Sequence, residues 1–272
     1  MQITLTFGKA RYSVDYSAPL DISVPVRFEG ERLSSFGAPP AKRQPYEASG
    51  FIGNVARGGS CNCDSYAFIP HTSGTHTECV GHILDTPVFV NDILKDALIP
   101  ATLVTVTPVT PKACNETYSC DLRPNDRVIS ATALHAAIRN HAPTFLTALI
   151  IRTLPNGAEK TSRDYNATGA PFFSTEAMRL ICSLNVKHLL VDIPSIDRMD
   201  DEGKLSNHRL FWDVPPEVHT ATGKPHSQKT ITELIYAPET IADGRYLLNL
   251  QAAAFEADAT PSRPVLFGIT PL

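Results

Sequence analysis

The stretch STEAMRLICSLNVKHLLVDI, residues 174–193, decides the fold class. Ser174 offers a hydroxyl to the free amides of a helix start, and Glu176 places a negative charge in the first turn, where the helix dipole favours it. Ala177, Leu180, Ile181 and Leu184 then recur at helical spacing up to Asn185. The chain passes directly into Lys187–Ile193, an apolar run of strand character. Upstream, Phe145–Arg152 is continuously apolar, as a strand buried on both faces must be, and it ends in a charge that opens on solvent or on a site. Strand, helix and strand in succession predict an α/β unit.

Further out, Ser130 is placed to cap a helix that carries Leu134, Ala137 and Ile138 on one face. Strand-like runs are expected at 103–109, 230–236, 246–250 and 265–269, and Ile3, Leu5 and Phe7 alternate with polar residues in the same manner. Residues 28–60 are crowded with Gly37, Pro39, Pro40, Pro45, Gly50 and Gly53, which preclude long regular elements and suggest a surface excursion or a lid over a site. With no repeat, low-complexity tract or linker, one mixed α/β domain over 1–272 is expected.

Composition narrows the function. The 272 residues carry a formal charge of −4, with 43% hydrophobic and 19% charged residues, which excludes a disordered chain or a coiled coil. No block of five like charges supplies the electrostatic footprint of nucleic-acid or anionic-membrane binding, so the expected partner is a small molecule. No apolar stretch nears the ~20 residues that cross a bilayer, and the alternating start does not read as a signal peptide, so a cytoplasmic address is expected. Six cysteines are too sparse for a disulfide scaffold, and Cys61-x-Cys63 and Cys114-x5-Cys120 lack the paired spacing of a zinc knuckle, so the thiols are expected to be reduced.

The chemistry concentrates in HTSGTHTECVGH, residues 71–82, which holds three of the nine histidines and an acid. Neutral imidazole and carboxylate oxygen are ligands for zinc and similar divalent metals. His76 and Glu78 share one side of an extended segment, and if the chain turns helical after Thr77, Glu78 and His82 lie one turn apart. Gly74 is expected to permit the bend that brings His71 to the same centre. Ordinary loop histidines are the alternative. Cys79 offers a rival nucleophile beside His82, although neighbours in an extended chain face opposite ways, which would place the thiol behind Glu78.

GTHTECVGH, residues 74–82, resembles the H-x-G-T-H-x-D-x-P-x-H signature of the cyclase family of metal-dependent hydrolases, which includes bacterial kynurenine formamidases and isatin hydrolases. Asp21-Ile-Ser-Val-Pro25, Ile151-Arg-Thr153, the 191–197 run VDIPSID, Asn207-His208 and Ile231-Thr-Glu233-Leu extend the likeness in order along the chain. Three positions depart from the signature: Glu78 stands where the family has Asp, Val80 where it has Pro, and Thr72 where its first histidine falls, with His71 one residue early.

The resemblance implies a compact α/β fold with a swivelling, barrel-like β core and flanking helices, assembled as a homo-oligomer. It implies His71, His76 and Glu78 as metal ligands, His82 as general acid/base, and His208 and Glu233 as ligands of a second ion bridged by Glu78. Zinc stands ahead of manganese, with one or two ions. The implied reaction is hydrolysis of a carbon–nitrogen amide bond in an aryl formamide or cyclic amide. Arg152 is a candidate clamp for a substrate carboxylate, or a partner of Asp192; Trp212, Phe172 and Phe173 are candidates to cover the substrate, or core residues. Asp192 and Asp197 are expected in capping or turn roles. A metal- or ligand-binding protein without turnover, and a lactone or polyketide-type cyclase, are the alternatives.

Overall fold

A computed structural model describes residues 2–220 and 226–272. Its strands are β1 (Gln2–Phe7), β2 (Ala10–Asp15), β3 (His76–Glu78), β4 (Ile99–Val106), β5 (Ala148–Thr153), β6 (His188–Val191), β7 (Thr230–Glu233), β8 (Gly244–Ala252) and β9 (Ala259–Pro271). Its longer helices are α1 (Ala131–Ile138), α2 (Thr175–Ser183) and α3 (Ser206–Trp212). Among the described residues no helix is long and apolar enough to cross a membrane.

Seven strands close into a barrel in the order β9-β8-β4-β5-β6-β7-β3, with β3 returning to β9. The run β4-β5-β6-β7 is parallel and every other junction is antiparallel. Parallel neighbours need crossovers, and α2 provides the one between β5 and β6. The β1–β2 hairpin extends the sheet from the far end of β9, where Val14 faces Ile269.

The period-two alternation of the strands divides their side chains between two cores. Ile99, Ala101, Leu103, Ala148, Ile150 and Leu190 join Leu248, Leu250 and Leu266 inside the barrel. Val104, Val106, Leu149, Ile151, Leu189 and Val191 face outward against Leu134, Ile138, Ala177, Met178 and Ile181 of the helices. Both faces being buried, the central strands carry near-continuous apolar runs such as Leu149–Ile151 and Leu189–Val191. The two expected caps are present: Ser130 Oγ accepts from the Ala133 amide at 3.2 Å, and Ser174 Oγ from the Ala177 amide at 2.9 Å.

The strand expected from Phe145 starts instead at Ala148, because Pro143 opens a helical turn over Pro143–Leu146. Phe145 is buried edge-on against Tyr12, with ring centroids 5.3 Å apart. The strand expected over 265–269 runs through all of β9, whose prolines hid its length: Pro261 lies in the three-residue ladder to β3 and Pro264 in the ladder to β8. Residues 28–60 form short ladders, Lys42–Pro45 against Asp64–Ala67 and Glu47–Ala48 against Phe51–Ile52, and are mostly exposed.

Candidate metal centre

β3 is the pivot of the site because it pairs on both sides. His76 lies opposite Glu233 of β7 and Pro261 of β9, and Glu78 opposite Ile231 and Ala259. Two residues apart on one strand, His76 and Glu78 project to the same side, and Glu233 joins them from the neighbouring strand, with its Oε2 3.5 Å from His76 Nε2. His208 enters from the first turn of α3 and places Nε2 2.9 Å from Glu78 Oε1 and 3.8 Å from Glu233 Oε1.

His71 reaches the cluster although it stands one residue early, because Pro70–Ser73 coils into a helical turn that takes up the additional residue. Its Nδ1 lies 3.1 Å from Glu78 Oε2. Gly74 does not supply the bend: its φ of 170° is extended backbone open to any residue. What glycine supplies is close approach, since a Cβ there would stand 2.8 Å from the Val24 carbonyl. After β3 the chain makes one 3-10 turn over Val80–Ile83, which sets His82 Nε2 3.9 Å from Glu78 Oε2.

Hydrogen bonds behind the rings fix which nitrogen faces inward. His76 Nδ1 lies 3.1 Å from the Gly74 carbonyl, which only accepts, so the proton sits on Nδ1 and the lone pair of the neutral ring on Nε2. That Nε2 is buried and makes no hydrogen bond, and neither does Glu78 Oε2, whose 3.1 Å contact with His71 Nδ1 lacks hydrogen-bond alignment. His208 Nδ1 donates to Asp197 Oδ2 at 2.7 Å, leaving Nε2 for the centre. Asp258 stands behind two more rings, its Oδ2 3.1 Å from His71 Nε2 and 3.3 Å from His82 Nδ1. Each imidazole thus has one nitrogen engaged outward and one turned toward the acids.

Electrostatics follow from this crowding. Burial alone would lower the pKa of His71 and His208, but Asp258 and Glu78 carry His71 up to about 10, and Glu78 and Asp197 hold His208 well above the usual imidazole value. Burial would raise Glu78, yet the charges of His82 and His208 hold it well below the usual carboxylate range. Hydrogen bonds from His71 and His82 depress Asp258. Buried acids balanced by protons on imidazole nitrogens are a donor set whose protons a divalent cation can replace. Inward nitrogen and oxygen atoms of His71, His76 and Glu78 lie within 4.8 Å of one another, as do those of Glu78, His208 and Glu233. The two groups share Glu78, and the orphaned His76 Nε2 and Glu78 Oε2 are the atoms a cation would satisfy. The residues fit a divalent metal.

A cavity of about 490 Å³ opens above the cluster, lined among others by Phe36, Arg198, Met199 and Leu205. His71 and His82 retain 24% and 28% side-chain exposure, whereas Glu78, His76 and His208 keep 1–2%, so the two partly exposed rings face the cavity while Glu78 and His208 line its floor and His76 does not reach it. Of the 28–60 segment only Phe36 reaches this cavity.

Four sequence candidates lie elsewhere. Arg152 donates to the Pro238 and Ile241 carbonyls at 2.8 Å and pairs with Asp243 at 2.8 Å, tying down the loop that enters β8. It touches neither the cavity nor Asp192, which instead holds Lys160 at 2.7 Å. Phe172 is buried beside Tyr118, ring centroids 4.8 Å apart, and Phe173 in the outer core. Trp212 is also core: its ring packs 5.3 Å from that of His208 and its Nε1 donates to the Lys229 carbonyl. The thiol of Cys79 is fully buried and donates to the Val88 carbonyl, and burial pushes its pKa up to about 12, which removes it as a nucleophile. Asp197 is more than a turn residue, since it both caps α3 through the Asn207 and His208 amides and orients His208. The sequence does not single out Asp258, which lies 176 residues beyond His82 in the alanine-rich loop between β8 and β9, with no local pattern to mark it.

A closed barrel with mixed imidazole and carboxylate donors converging at one mouth defines an enzyme of the α/β class with a candidate metal centre. The family described as "Putative cyclase" matches residues 14–198, and the chain belongs to this cyclase family. The chain is 25% identical over 210 residues to a kynurenine formamidase of Bacillus thuringiensis, covering 76% of this chain and 81% of the relative. It is 30% identical over 123 residues to that of Bacillus anthracis, covering 43% of this chain and 48%, about half, of the relative's length. Isatin hydrolase A from Labrenzia aggregata, in a structure with benzyl benzoate bound, superposes with a TM-score of 0.59 at 13% identity, over 92% of this chain and 93% of the other. This last likeness is one of fold.

Proposed function

We propose that the protein is a metal-dependent hydrolase that opens a carbon–nitrogen amide bond, in an aryl formamide or a cyclic amide. Relatives named kynurenine formamidase support the reaction class, and one observation carries the reading: His76 Nε2 and Glu78 Oε2, both buried and without a hydrogen bond, stand among three further inward donors. His71, His76 and Glu78 would hold one ion, and Glu78, His208 and Glu233 a second, zinc ahead of manganese. A divalent ion there supplies Lewis acidity to the scissile carbonyl and acidifies water.

The chain's own residues supply the proton transfers. Asp258 beside Nδ1 holds His82 with Nε2 toward the acids and the cavity. From that nitrogen His82 takes a proton from the attacking water and returns it to the leaving nitrogen, a transfer that typically contributes about 10² to 10⁴ in rate. The proposal includes a cytoplasmic homo-oligomer acting on a small molecule, with His82 as the acid/base and Cys79 as packing.

The test is elemental analysis of the purified protein, followed by hydrolysis of N-formylkynurenine and isatin with and without a chelator. Bound zinc or manganese and turnover abolished by the chelator are expected. Stoichiometric metal with no hydrolysis of any amide or lactone would make the protein a binding member of the fold.

A further inference from the structure

A second cavity of about 350 Å³ lies behind the turn that carries His71. The two cavities meet along one strip of chain: His71 lines the first, Thr72 lines both, and Ser73 lines the second. The rest of its wall comes from residues 27–41 and includes Arg27, Arg32 and Ser35.

Its chemistry is one-sided. Two arginines and four hydroxyl residues line it, with no acidic side chain, in a protein whose formal charge is −4. Arg27 spends Nη1 on the Glu31 and Thr161 carbonyls, and Arg32 spends Nη1 on the Phe28 and Ala41 carbonyls. Neither guanidinium has a carboxylate partner among the described residues, whereas Arg43, Arg57, Arg123, Arg152, Arg163, Arg198 and Arg263 all do. Ser35 is 1% exposed and its Oγ has no hydrogen-bond partner. A buried hydroxyl with no hydrogen bond pays its desolvation without return, so a group that accepts from it is favoured there. Planar guanidinium forks match a carboxylate in two-point geometry. An uncharged ligand could accept these hydrogen bonds but would leave the two guanidinium charges without a counter-charge.

We propose that this cavity is the subsite for a carboxylate of the substrate, whose amide bond lies beyond Thr72 at the metal cluster. The proposal rests on the hydrolase reading and deepens it: the substrate class becomes amides that carry an organic acid group a short distance from the scissile bond. Arg27, Arg32 and Ser35 set specificity, and the cluster residues do the chemistry.

Two aryl formamides that differ only in the acid group, 2-formamidobenzoate and formanilide, test it, together with calorimetric titration of benzoate, which needs no turnover. Wild type is expected to favour the acid-bearing substrate through KM. Arg27→Gln and Arg32→Gln are each expected to reduce the ratio of the two kcat/KM values by on the order of tenfold, the loss of one charge-assisted hydrogen bond, and to weaken benzoate comparably. Ser35→Ala, which removes only the unpartnered hydroxyl, repeats the comparison if thermal melts show that an arginine variant fails to fold. A ratio unchanged in the folded variants overturns the proposal, as does benzoate affinity indifferent to all three positions. Inorganic phosphate that displaces benzoate at equal concentration would mark a general anion site and overturn the assignment to substrate. If neither these formamides nor N-formylkynurenine nor isatin is hydrolysed the hydrolase reading fails, and the benzoate titration still decides the cavity.

Discussion

Replacing Asp197 by asparagine tests how the centre is built. Asp197 Oδ2 accepts from His208 Nδ1 at 2.7 Å, and Oδ1 accepts from the Asn207 amide at 2.9 Å and the Tyr118 hydroxyl at 2.7 Å. Asn keeps the size and, with its carbonyl toward the Asn207 amide, keeps that half of the α3 cap while giving up the 3.1 Å bond from the His208 amide. Its amide nitrogen then faces His208 Nδ1, donor against donor, unless the ring moves its proton to Nε2, the nitrogen needed at the centre. Loss of such an outer partner costs roughly 10–100-fold in metal affinity, which is about 1.4–2.7 kcal/mol. Zinc affinity measured by competition with a fluorescent chelator reads this directly, and a thermal melt establishes folding. Tyr118→Phe, which removes a donor from the other oxygen, is expected to stay within about threefold of wild type. Folded Asp197→Asn protein that binds zinc as wild type does would refute the argument that His208 is oriented by this carboxylate for coordination.

Three further outcomes follow from the same geometry. His82→Ala is expected to lose about 10² to 10⁴ in turnover and keep its metal, whereas His76→Ala loses the metal too; equal metal loss by elemental analysis would assign His82 to coordination. Lys160→Ala leaves Asp192 buried without its 2.7 Å partner and should destabilise by about 3–5 kcal/mol, seen as a melting temperature lower by on the order of 10 °C. Asp96 is held below the ordinary carboxylate value of 3.8, chiefly by its hydrogen bond from Lys187, with burial opposing and His188 assisting. A depressed folded pKa contributes stability that is complete above the unfolded value and is lost as pH falls through the folded one, so Asp96→Asn should flatten the fall in stability below about pH 4 in acid titrations followed by circular dichroism.

Much of this was legible locally. The caps at Ser130 and Ser174, the helical spacing after Ser174 and the apolar runs at Leu149–Ile151 and Leu189–Val191 are short-range signals, and the elements they specify form where they stand. The density of donors between His71 and His82 marked the centre for the same reason. What escaped depends on contacts far apart in sequence. Asp258 acts only because β9 returns to β3, bringing its loop beside His71 and His82. Arg152 ends a buried strand, which suggested a site, but the loop of residues 237–243 folds over it and consumes its donors. Trp212 and Phe172 were chosen as large aromatics, and burial of their apolar area decided against the cavity.

The convergence of these side chains on a shared cation is tested most directly by crystals grown with zinc, through an anomalous difference map at the zinc edge. The predicted result is a peak within about 2.0–2.2 Å of His76 Nε2 and Glu78 Oε2. A map of well-ordered protein whose anomalous peaks all lie away from residues 71–82, 208 and 233 would contradict it.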